Sequence, residues 1–243
     1  MNISFSGDTR DLFKFDLVRH IMKSFPDLNS FTFIPMLTDR EVPTKQKKSR
    51  KTDLLKAVKA GKAGSQNRDL MEHLGKLQEI EDDMDYFEGI QSYFEKENIL
   101  IDILHKDRFS HEHRENYFRK MFEKFPQRSL IFLDPDTGLE VKNPTQRHLL
   151  FDELKKIVDA MDARSILMVY QHFPRETHAG YVQHRCSQIA DVTGIKPVSI
   201  TDNEIVFFLL AKSPLLLEKL ADNVGTYANT YPVLRSCGSD DSE

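Results

Sequence analysis

Two short segments hold side chains able to do acid–base or binding chemistry. Asp134-Pro135-Asp136-Thr137-Gly138-Leu139-Glu140 places three carboxylates directly behind the apolar run Ser129 to Leu133. Tyr170-Gln171-His172-Phe173-Pro174-Arg175 places an amide, an imidazole and a guanidinium behind a second apolar run, Ser165 to Tyr170. Carboxylates accept hydrogen bonds and protons or hold cations, and the other three groups orient a polar substrate. Each apolar run reads as a strand covered on both faces, and the Asp-Pro and Thr-Gly signals end the first one sharply. In an open α/β sheet, ligands bind beyond the carboxyl ends of the strands, so parallel neighbours would bring the two loops together. The plainer alternative for Asp134 is a turn cap, because Asx residues before Pro and Gly satisfy turn amides. For His172 it is a core imidazole with its hydrogen bonds met.

The elements that would position these loops are legible from periodicity. Asp11 to Ser24 spaces its apolar residues as a mostly buried helix, and Pro26 stops it. Phe31 to Leu37 reads as a short strand running into a loop, with Pro35 near its end. Helices are expected over Gln66 to Leu77, Met84 to Glu95, His111 to Phe125, Gln146 to Met161, Thr177 to Thr193 and Pro214 to Asn223. Further strands are expected over Asn98 to Leu104, Lys196 to Thr201 and Glu204 to Ala211, the last two joined through Asp202-Asn203 as a hairpin. Asp102 falls inside a strand and reads as structural. The alternation predicts a doubly wound, Rossmann-like α/β domain over residues 1–235, mostly parallel, with an antiparallel C-terminal hairpin, a basic and helical insertion at 43–97 and a disordered tail at 236–243.

Within the insertion, Pro43 to Gly64 sets Lys45, Lys47, Lys48, Arg50, Lys51, Lys56, Lys59 and Lys62 against one acid, Asp53. That stretch is either a solvated loop or an arm that contacts phosphates. The whole chain has 34 Lys+Arg against 38 Asp+Glu, a net charge of -4, so a protein basic all over is excluded and any nucleic-acid contact rests on this local patch. Cys186 and Cys237 form no Cys-x-x-Cys pair, and His111/His113 and His178/His184 lack metal-ligand spacing, so no structural zinc is expected. With no basic-then-apolar leader and no apolar run of membrane length, the chain is expected to be cytoplasmic, with no membrane partner.

The strand order ending in an antiparallel hairpin, with Asp134-Pro135 after a central strand, resembles the class I S-adenosylmethionine-dependent methyltransferases. Gly7-Asp8-Thr9-Arg10-Asp11-Leu12-Phe13-Lys14 is similar to the Gly-x-x-x-Asp-x-x-Lys element of the J-type large-subunit ribosomal-RNA adenine-N6 methyltransferases. The resemblance implies S-adenosylmethionine as cofactor, Gly7 and Asp11 at the cofactor, and Asp134 and Lys14 at the reacting centre; Asp136 is a catalytic candidate from the acidic loop itself. By their own placement, Gln171, His172 and Arg175 at a strand end are expected on the substrate, and Lys47, Lys48, Arg50 and Lys51 of the basic stretch on nucleic acid.

Two departures stand beside it. Pro35-Met36-Leu37-Thr38-Asp39 occupies the place of the glycine-rich cofactor turn, and Asp136-Thr137 replaces the second proline and the stacking aromatic of the Asp-Pro-Pro-Tyr pattern. Two other functions therefore stay open. Asp134, Asp136, Glu140 and Lys142 are similar to a metal-dependent nuclease set, in which carboxylates hold Mg²⁺ and a lysine assists the attacking water, although their spacing cannot span two strands. The third is a methyltransferase-like fold without catalysis that binds nucleic acid or protein.

Overall fold

The computed structural model describes residues 7–38, 54–80, 82–104, 106, 108–110, 112–123, 125–173 and 178–237. Lys45, Lys47, Lys48, Arg50, Lys51 and Arg175 lie outside them, so most of the expected phosphate-contacting arm does too.

Seven strands form one mixed sheet: β1 (Ser30–Ile34), β2 (Ile101–Ile103), β3 (Ser129–Leu133), β6 (Ile166–His172), β7 (Val198–Thr201), β8 (Ile205–Leu210) and β9 (Arg235–Cys237). Two more, β4 (Gly138–Leu139) and β5 (His148–Leu149), pair in parallel as a separate ribbon. The sheet order is β2-β1-β3-β6-β8-β7-β9. β2, β1, β3 and β6 are parallel neighbours; β8 lies between β6 and β7 and runs against both, and β9 runs against β7.

Side chains alternate along each strand, so each strand feeds two cores. Phe31 and Phe33, Leu130 and Phe132, and Met168 and Tyr170 face one cluster. Ile131 and Leu133, Leu167 and Val169 face the other. The first cluster takes α1 (Thr9–Ser24), α3 (Arg68–Leu77), α4 (Asp83–Lys96) and α8 (Pro214–Thr230). The second takes α5 (Arg114–Glu123), α6 (Phe151–Ala160) and α7 (His178–Thr193). Helices on both faces of a largely parallel sheet make the fold α/β and consistent with a Rossmann-like architecture.

Several boundaries differ from expectation. β1 stops before Pro35, which has no amide hydrogen to extend the ladder. The short helix α2 (Leu54–Lys59) lies in the stretch read as a basic loop. β5 and the start of α6 divide the run read as one helix from Gln146. Ser236 and Cys237, read as the start of a tail, pair with Ile200 and Ser199 of β7.

Candidate functional site

The carboxyl ends of β1, β3 and β6 lie side by side, and the N-terminus of α1 closes over them. Asp8 caps α1 by accepting from the backbone amides of Arg10 (2.8 Å) and Asp11 (3.1 Å), which fixes the first turn. One turn on, Lys14 points inward. Its Nζ donates to Asp11 Oδ1 at 2.9 Å and to Asp134 Oδ2 at 2.8 Å, joining residues 120 positions apart. Lys14 is 5% exposed and Asp134 2%. Asp134 is held at the strand end by its own amide, which donates to the Ile34 carbonyl at 3.0 Å.

Three further groups complete this buried cluster. The Gly7 amide donates to Asp11 Oδ2 at 2.8 Å, and the Tyr86 hydroxyl of α4 donates to the same oxygen at 3.2 Å. The Tyr170 ring lies 5.3 Å from Lys14 Nζ, with the Phe15 and Phe132 rings at 5.8 and 5.9 Å. Gly7 sits at φ +74, and a Cβ there would come within 2.7 Å of the Leu74 carbonyl, so only glycine fits.

Burial would strip the Lys14 proton, but Asp11 and Asp134 outweigh it and hold the ammonium above its ordinary range. Burial pushes the Asp134 carboxyl up, and Lys14 pulls it back. Burial and then Asp11 push the Tyr86 phenol well up, so it remains a donor. The centre is thus a protonated lysine between two carboxylates, walled by aromatic rings.

Around it, the loop after β3 is fastened rather than open. Gln171 Oε1 accepts from the Leu139 amide at 2.8 Å, and Nε2 donates to the carbonyls of Thr137 (3.3 Å) and His172 (2.8 Å). Both amide hydrogens are engaged within the fold, so Gln171 holds the Asp134 loop where a substrate contact was expected. His172 is exposed at the end of β6. Asp136 pairs with Arg147 at 3.3 Å, and Glu140 Oε2 accepts from the Phe151 amide at 2.8 Å.

The three loop carboxylates therefore turn to three partners: Asp134 to Lys14, Asp136 to Arg147 and Glu140 to the first turn of α6. Among the described residues, no three His, Cys, Asp or Glu side chains gather as metal ligands. After β1, Met36 adopts φ +40, a left-handed turn made without glycine at the place where a cofactor turn was sought.

The structure thus brings together Gly7, Asp11, Lys14 and Asp134, with Asp136, Gln171 and His172 beside them. Tyr86 was missed because it sits in an aromatic stripe that reads as core, where its hydroxyl is not distinguished from that of Tyr93. Arg147 carried no signal, lying inside a run read as helix. Compared with known family models, curated proteins and solved structures, the chain gives no match.

Proposed function

We propose that the protein is a methyltransferase-like enzyme that binds and acts on nucleic acid. The observation that carries this reading is the bridge from Asp11 through Lys14 to Asp134. It unites, at the carboxyl ends of parallel strands, the two segments that resemble the adenine-N6 methyltransferases. The reversed β8 between β6 and β7 supports the same fold type.

Met36 turns the chain left-handed after β1, but it keeps a buried side chain where glycine would let the backbone approach S-adenosylmethionine, so the cofactor reading rests on Gly7 and Asp11. Gly7 and Asp11 would hold the cofactor, which supplies an electrophilic methyl group. The chain's own residues do the rest. Asp134 accepts a hydrogen bond from the target amine and orients its lone pair. Lys14 keeps that carboxylate in place, and the aromatic wall excludes water. A binding module without catalysis is the second reading, favoured by Pro35-Met36-Leu37 in place of glycines.

Calorimetric titration with S-adenosylmethionine is expected to give saturable heat. Asp134→Asn should keep that heat while losing transfer of labelled methyl groups to single-stranded RNA or DNA. Absence of heat at about millimolar cofactor would sink the methyltransferase reading, whereas heat without transfer by the wild type would leave the binding module.

A further inference from the structure

Position 137 lacks the aromatic that would stack on a target base in the Asp-Pro-Pro-Tyr pattern, yet a flat ring stands beside it. The His172 amide donates to the Thr137 carbonyl at 3.0 Å, so the two residues are fixed as neighbours. Along β6, residues 170 and 172 face the same side of the sheet. Tyr170 lies against Lys14 at the bottom of the cluster, and His172 is one step further out, exposed. Arg10, Asp136, Glu204 and Asp8 are the charged groups that act on its ring. Arg10 is paired to Asp8 and Asp136 to Arg147, so the exposed imidazole stands among ion pairs.

We propose that His172 is the stacking platform for an unpaired base of a single-stranded nucleic acid, in place of the aromatic missing at Thr137. The inference rests on the nucleic-acid part of the functional reading and adds a specificity-determining residue to it. A stacking face tolerates any base, and the polar rim around His172 would select among them.

The test uses the full chain and two probes: short single-stranded oligoadenylate, and inorganic polyphosphate, which has charge but no bases. His172→Ala is expected to weaken oligoadenylate binding by about tenfold or more, His172→Phe to restore it to near wild type, and polyphosphate binding to stay constant throughout. Unchanged oligoadenylate affinity in His172→Ala, an equal loss for polyphosphate, or no oligoadenylate binding by the wild type would each overturn the proposal. Cofactor titration of the same samples separates the two ideas. Cofactor heat with His172-independent oligonucleotide binding removes the stacking role alone, and a ring-dependent oligonucleotide signal without cofactor heat removes the methyltransferase reading alone.

Discussion

Lys14 decides whether Asp11 and Asp134 can share one buried site. Without its ammonium, two carboxylates would face each other among Phe15, Phe132 and Tyr170, with the Gly7 amide and the Tyr86 hydroxyl donating to Asp11 alone of the two. Removing one partner of a buried ion pair leaves an uncompensated charge, which costs about 3–5 kcal/mol. Lys14→Met should therefore lower the unfolding free energy by about that amount in urea denaturation. Lys14→Met/Asp134→Asn should lose less than the sum of the single changes, because the second substitution removes the stranded charge. Strict additivity in the double-mutant cycle would mean the two side chains are not coupled as the 2.8 Å contact requires. The pair itself was legible in the sequence only as two separate motifs. Their meeting depends on α1 packing over β3, a long-range contact that no local pattern encodes.

At the next scale, the loop between β3 and α6 shows which elements can be read from sequence and which cannot. The continuous apolar β3, β6 and β8 stood out because full burial leaves no polar interruptions. β4 and β5 did not, since two residues carry no period, and Leu150 starts α6 with no side-chain cap oxygen; Glu153 accepts from its amide at 2.9 Å instead. α8 runs on to Thr230, past Asn223 and Gly225, where the hydroxyls of Tyr227 and Tyr231 donate to the buried Asp16 at 2.8 and 3.1 Å. Tertiary anchoring of this kind overrides a local stop signal. The loop's hold on Asp134 depends on Gly138, which sits at φ +125; a Cβ there would meet the Gln171 amide at 2.5 Å. Gly138→Ala should cost about 1–3 kcal/mol through backbone strain and displace Gln171 from Leu139 and Thr137. The measurable sign is faster amide hydrogen exchange at Leu139 than in wild type. Unchanged protection there would show that the loop is held independently of Gln171.

Over the whole molecule, charge is paired at the rim of the site. Arg10 with Asp8, Arg147 with Asp136, Arg108 with Asp83 and Lys62 with Glu204 cancel in turn. Partly exposed pairs of this sort add little stability, and the last of them takes Lys62 out of the basic stretch from Lys45 to Lys62. The interior carries the stronger pH signal. His148 is 8% exposed, and its Nδ1 accepts from the Thr145 amide at 3.1 Å. Burial first, then Arg185, Arg114 and Arg147, hold its imidazole below the ordinary value of 6.5, against a pull upward from Thr145. A base depressed in the folded state is protonated first in the unfolded chain, so its contribution is full above 6.5 and falls as pH drops through that value toward the folded one. Asp8, Asp134 and Asp202, pushed up by burial, act in the opposite direction, so the total curve mixes both signs. Substitution isolates the histidine. His148→Asn keeps an acceptor for the Thr145 amide and removes the titration. Relative to wild type, the variant should lose less stability between about pH 7 and pH 5.5, the difference reaching at most about 1.4 kcal/mol per pH unit. Parallel stability curves for the two proteins over that window would show that His148 takes up its proton equally in both states, against the burial and the three arginines that surround it.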